Sequence, residues 1–322
     1  MKDDGANTGT LTSDALLLLT AAIWGLAFVA QRVGMEHVGP FGFNGVRFAL
    51  GCLVLLPLVV SDARARRQRP RTHDGPVSNL TGGALAGVAL FAGASFQQVG
   101  MVYTTAGNAG FITGLYVILV PVMGIFLGHR THARTWAGAV LAVAGMYLLS
   151  VSGRFTVAYG DMLVLVSALF WACHVHIIGW VSPGGDALRI SALQYAVCSV
   201  LSMAVSAVTE TNAAADYMGA AIPILYGGVM SVGVAYTLQV VAQKRARPSH
   251  ASIILCLESV FAALGGYVVL GEVLTGRGLA GCSLMLAGMI VSQLAGPGRS
   301  RVTPGGDPQD SAPPPSCAKS SR

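Results

Sequence analysis

The chain has 322 residues, of which 53% are hydrophobic and only 11% charged, with a formal net charge of +6. A soluble globular chain carries about 25% charged residues, so this composition belongs in a membrane. Spans of about 20 residues each fill the chain and leave no room for a soluble catalytic domain.

Residues 1–12 are polar, include Asp3 and Asp4, and make a poor signal-peptide start, so they are expected as a cytoplasmic tail. Ten apolar runs follow, at about 13–33, 41–61, 80–102, 104–127, 135–152, 159–181, 189–209, 218–243, 249–270 and 276–295. The runs are continuously apolar rather than alternating, which argues for helices and against a barrel. The last stretch, 296–322, is rich in Pro, Ser and Gly and reads as a disordered cytoplasmic tail. Cys52, Cys173, Cys198, Cys256 and Cys282 sit in apolar runs without a C-x-x-C pair, so they read as small buried residues.

Charge between the runs orients them. Arg64, Arg66, Arg67, Arg69 and Arg71 follow the second run, Arg130 and Arg134 the fourth, Lys244, Arg245 and Arg247 the eighth, and Arg299 and Arg301 the tenth. The odd-numbered connections hold little positive charge, and the one after the seventh run carries Glu210 and Asp216. Even-numbered connections and both termini are therefore expected in the cytoplasm of a multi-pass plasma (inner) membrane protein.

The membrane unit occurs twice. Asp14, Trp24 and Arg47-Phe48 answer to Asp161, Trp171 and Gln194-Tyr195, and subtracting the residue numbers gives 147 for each pair. The expected repeats are 13–152 and 153–295, each with five spans. Five is odd, so the second repeat lies upside down relative to the first. The fold expected is all-α, ten transmembrane helices as two inverted five-helix repeats, an arrangement that places a substrate site at the seam. Gly83/Gly87 and Gly110/Gly114 have the spacing that lets helices approach closely in lipid.

Polar residues within the runs are the candidates for function. Arg47 lies about six residues into the second run and shares a face with Asn44. It either binds an anionic group or a partner helix, or snorkels to the interface. Glu258 lies about nine residues into the ninth run, near mid-membrane. It is the candidate coupling residue, carrying a proton or pairing with a cationic substrate; a structural hydrogen-bonded Glu is the alternative. His174 and His176 stand about 200° apart on a helix and cannot ligate one metal together. His174 shares the face of Trp171, whereas His176 is expected against a neighbouring helix. Tyr236, Gln239 and Gln243 form one stripe. The expected substrate-binding residues are Trp24, Gln31, Arg47, Gln98, Trp171, His174, Tyr236 and Gln239. Their aromatic walls and amide groups suit amino acids or aromatic cations. No metal, cofactor or nucleic acid is expected; the partners are a small-molecule substrate, the bilayer and, as an open alternative, a second copy in a homodimer.

Ile23-Trp24-Gly25-Leu26-Ala27-Phe28 with Gly45-Val46-Arg47-Phe48 resembles the start of EamA-type permeases of the drug/metabolite transporter superfamily. Asn108-Ala109-Gly110-Phe111-Ile112 with Tyr116 and Pro121 is similar too, as are Ser249-His250-Ala251-Ser252, Leu257-Glu258 and Leu270-Gly271-Glu272. Ser259 departs from the family, which often has Pro there, and Arg130 stands where the first repeat has no counterpart of Glu272. The resemblance implies ten helices in two inverted repeats, alternating access, and substrates ranging from amino acids to toxic compounds. No Walker A lysine motif and no G-x-S-x-G or H-E-x-x-H is present. The leading reading is a secondary transporter exporting small metabolites, amino acids or amphipathic compounds, and not an enzyme. A lipid-carrier flippase and an intramembrane enzyme are the alternatives.

Overall fold

The computed structural model describes residues 4–66, 78–103, 106–129, 131–150, 159–270 and 275–293. All regular structure among them is helical. The helices are α1 (Asp4–Gly34), α2 (Pro40–Arg66), α3 (Asn79–Tyr103), α4 (Ala106–Gly114), α5 (Tyr116–Phe126), α6 (Ala133–Ser150) and α7 (Tyr159–Val181). They continue with α8 (Ala187–Thr209), α9 (Ala214–Gly219), α10 (Ala221–Leu225), a π-helical stretch Tyr226–Tyr236, α11 (Thr237–Ala242), α12 (Pro248–Leu255), α13 (Glu258–Leu270) and α14 (Gly276–Gln293). Among the described residues, seven helical segments are long and apolar enough to cross a membrane, and 112–126 and 276–292 are shorter apolar helices. Arg67, Arg69, Arg71, Thr104, Arg130, Arg154, Gly271, Glu272 and the tail 296–322 lie outside the described residues.

The structure differs from the expected runs in three ways. α1 starts at Asp4, so most of the stretch expected as a tail is helical; a helix does not end where its sequence turns polar. The fourth run is broken at Leu115, where the bonds tighten to i→i−3: Leu115 N donates to Ile112 O (3.2 Å) and Ile118 N to Leu115 O (3.0 Å). Pro121 cannot donate to the turn before it, which weakens the same region. The ninth run breaks in the same manner, with Leu257 N on Ile254 O (3.1 Å) and Val260 N on Leu257 O (2.9 Å). α5 thus restarts at Tyr116 and α13 at Glu258, and both residues face the molecule's interior.

The eighth run carries the third difference. Its middle is π-helical, a rare form that concentrates at functional sites. The stretch is docked on α1 by side chains. Thr20 Oγ1 donates to Ala235 O (3.3 Å), Trp24 Nε1 to Ser231 O (3.2 Å), and Tyr226 OH to Ile23 O (3.0 Å). Thr20 and Trp24 are four residues apart and share one helix face, so this docking fixes the rotation of α1.

Helices pack closely where side chains are small. α6 lies along α14, α3 along α7 and α8, and α2 along α8. At the α6–α14 crossing a Cβ on Gly138 would stand 2.6 Å from Gly288 O, and one on Gly288 2.6 Å from Gly138 O. Lipid offers no hydrophobic drive for helix association, so such close approach carries it. Gly288→Val should lower the thermal unfolding midpoint in detergent, at the cost of about 1–3 kcal/mol typical of overpacking. Gly276→Ala, with nothing within 4 Å of its Cβ, should leave the midpoint in place.

Candidate functional site

A cavity of about 40 Å³ lies between the helices. Water needs roughly 10–15 Å³, so the space admits ordered water. α1 contributes Trp24, Phe28 and Gln31, which at i, i+4 and i+7 share one face. α2 contributes Arg47, and α3 contributes Gln97. The break between α4 and α5 contributes Thr113 and Tyr116, and α7 contributes Trp171, His174 and Val175. The π-helical stretch brings Ser231 and Tyr236, α11 brings Gln239, and the break between α12 and α13 brings Leu255 and Glu258.

Tyr236 is the hub of the aromatic wall. Its ring centroid lies 4.5 Å from Trp24, 6.0 Å from Phe48, 6.1 Å from Trp171 at 22°, and 6.0 Å from His174 at 85°. Aromatic pairs at such separations add to the gain from burial alone. Two amides orient the wall. Trp171 Nε1 donates to Gln97 Oε1 (3.1 Å), and His174 Nε2 donates to Gln194 Oε1 (2.8 Å). Gln239 Oε1 is buried with no hydrogen-bond partner.

Two charged groups line the same space. Arg47 is only 3% exposed, its Nε donates to Asn44 Oδ1 (3.0 Å), and Asn44 Nδ2 donates in turn to Ala94 O (3.2 Å). Its guanidinium carbon lies 5.5 Å from the Phe43 ring centroid and 5.0 Å from that of Phe48. Snorkelling is therefore excluded: the side chain turns inward, held by cation–π contacts. Glu258 is 5% exposed at the first residue of α13, where the helix dipole favours a negative charge. Among the described residues neither Arg47 nor Glu258 has an oppositely charged partner within 4.0 Å.

The structure brings eight of the nine expected site residues to this cavity; Gln98 is the exception. Gln98 is fully buried elsewhere, with both amide atoms unpartnered, and its neighbour Gln97 faces the cavity. A 100° step separates adjacent helix positions, and the rotation of α3 carries no signal in the order of its residues. Gln243 also leaves the expected stripe, donating to Val175 O (2.9 Å). His176 sits on the opposite side of α7 from His174, donating from Nε2 to Val120 O (2.7 Å). Phe28, Thr113, Val175, Ser231 and Leu255 were not foreseen; only Phe28, one turn from Trp24, carried a signal. Among the described residues no group of three or more His, Cys, Asp or Glu could hold a metal ion.

The EamA-like transporter family model matches residues 11–151 and again 158–293. The chain belongs to the EamA-like transporter family. An Archaeoglobus fulgidus relative named "Uncharacterized transporter" is 32% identical over 297 residues, 91% of this chain and 90% of the relative. A Salmonella typhimurium protein named "Probable amino-acid metabolite efflux pump" is 25% identical, covering 86% of this chain and 93% of its own. A solved crystal structure superposes with TM-score 0.71 at 18% identity, over 90% of this chain and 97% of the other, which establishes likeness of fold alone. In this EamA-like chain the two matched segments each supply half of the cavity, and the breaks that seat Tyr116 and Glu258 fall one in each.

Asn44 is the only hydrogen-bond acceptor seen on the Arg47 guanidinium among the described residues. Asn44→Leu should therefore destabilise the protein by about 1.5–3 kcal/mol, as expected for losing a hydrogen bond to a charged group. Adding Arg47→Met should restore part of that loss, measured by thermal unfolding of the single and double variants.

Proposed function

We propose that the protein is a ten-span secondary transporter of two inverted five-helix repeats that exports amino acids or similar zwitterions from the cytoplasm. The observation that carries this reading is the pair of ionisable groups of opposite sign, Arg47 and Glu258, that line one aromatic cavity without a charged partner among the described residues. A buried charge without a partner is costly. A solute with one carboxylate and one ammonium group answers both groups: its carboxylate meets Arg47, and its ammonium takes the place of the proton on Glu258. The aromatic wall of Trp24, Trp171 and Tyr236 then takes the apolar part of the solute.

Several further features support the reading. The Salmonella typhimurium protein is named for amino-acid metabolite efflux, and a Streptantibioticus cattleyicolor protein, 25% identical over 90% of this chain, is named "Probable terminal-alkyne amino-acid exporter". Discontinuous helices whose restarts meet at the seam of two repeats are the usual setting of a transporter site. The positive charge of Lys244, Arg245 and Arg247 after α11 supports cytoplasmic even-numbered connections and termini. Glu258 also serves as the proton carrier: protonated when the ammonium group is absent, ionised when it is bound.

The test is counterflow in proteoliposomes loaded with an amino-acid library, with and without a pH gradient. Arg47→Gln should raise the KM for amino acids about tenfold or more, the scale of a lost charge-assisted hydrogen bond, and leave amino-acid amides unaffected. Glu258→Gln should abolish the pH dependence of flux. Unchanged pH dependence in that variant, or absence of flux across the whole library, would overturn the proposal.

A further inference from the structure

Helix α8 is tied down at both ends by its neighbours, and the two ties are related by the repeat. At the end of α8, the Glu210 carboxylate accepts Phe41 N at Oε1 (2.8 Å) and Gly42 N at Oε2 (2.8 Å), in the first turn of α2. Asn212 Oδ1 accepts Gly39 N (3.0 Å) beside it. At the start of α8, Asn79 Oδ1, from the first residue of α3, accepts Asp186 N (2.9 Å). Gly39 and Asp186 are themselves 147 residues apart, the spacing of the duplication. The same bond, an Asn side chain on the backbone N–H that opens α2 or α8, therefore occurs twice, each time from one half to the other. The two lie about 34 Å apart, since α8 has 23 residues at 1.5 Å each.

Both ties are built for close approach. A Cβ on Gly39 would overlap the Glu210 carboxylate, one on Gly42 would meet Asn212 and Tyr217, and one on Gly185 would stand 3.2 Å from Asn79 Oδ1. Glu210 is held ready by Ser206 Oγ (2.8 Å) and Asn212 Nδ2 (3.1 Å), both on Oε2. A carboxylate on the orphan N–H groups of a helix start makes charge-assisted hydrogen bonds, which are stronger than neutral ones. Both ties are made at once, at opposite ends of α8.

We infer that Glu210 and Asn79 are the two gate latches of the transport cycle: release of Glu210 from α2 opens the cavity to the outside, and release of Asn79 from α8 opens it to the cytoplasm. The inference rests on the transporter reading for the meaning of the two sides. With both latches made α8 is fixed at its two ends. With one released, α8 pivots on the other, so the two openings alternate. The latches differ in strength, since the outer one has a charged acceptor with two bonds and the inner one a single neutral bond.

Thiol accessibility tests this without any transported substrate. The full chain, with its native cysteines replaced and Thr113→Cys as the cavity reporter, is reconstituted and treated with a membrane-impermeant maleimide from either face. Glu210→Ala is expected to raise the outer-face labelling rate about tenfold, the scale of a lost charged hydrogen bond, without raising the inner-face rate. Glu210→Gln, which keeps one acceptor, should fall between. Asn79→Ala is expected to raise the inner-face rate alone. Gly39→Ala, whose methyl group displaces the carboxylate, should repeat the Glu210→Ala result. Equal increases from both faces, the mark of a loosened fold, or no change from either, would overturn the latch assignment. A chain that shows this sidedness but moves no amino acid would instead overturn the proposed substrate and leave the latches in place.

Discussion

A charge inside a bilayer has to be answered, by a partner, by water or by cargo. In this protein two ionisable groups of opposite sign are placed on one cavity wall and kept apart. Arg47 is held by Asn44 and by the rings of Phe43 and Phe48, and Glu258 by the start of α13. Neither device supplies a counter-charge. If the two groups closed on each other they would form a buried ion pair, and the cavity would lose its reason to bind anything.

The irregular backbone follows from that constraint. A buried carboxyl group sits best where helix N–H groups are free, and α13 begins at Glu258. The same break in the other half starts α5 at Tyr116. The π-helical stretch Tyr226–Tyr236 turns Ser231 and Tyr236 inward and lets Trp24 and Thr20 bond to its carbonyls. Tyr236 then contacts Trp24, Trp171, His174 and Phe48 at once, so a single ring stands among elements of both halves.

The parts of this arrangement that the bilayer dictates were legible in the sequence. Apolar runs mark helices because lipid demands that backbone groups bond within the segment, and the 147-residue echo of Trp24 in Trp171 marked the duplication. The separation of His174 from His176 was legible because 200° on a helix allows no common face. The helix breaks were not, since Leu115 and Cys256-Leu257 lie in unremarkable apolar sequence and the tightening is a matter of which carbonyl each N–H meets. The choice between Gln97 and Gln98 turned on the rotation of α3, which packing against α7 sets. Glu210 read as a loop charge; its role as a cap on α2 depends on a residue 169 positions away in sequence.

The central claim is that the cavity recognises a zwitterion through two separated charges. Calorimetric titration of the purified protein with one amino acid, its amide and its N-acetyl derivative tests it most directly. The amide lacks the group for Arg47 and the acetyl form the group for Glu258, while the side chain stays constant. The expected result is that the amino acid binds at least about tenfold more tightly than either derivative, the scale of one charge-assisted hydrogen bond. Equal affinity for all three would contradict the claim.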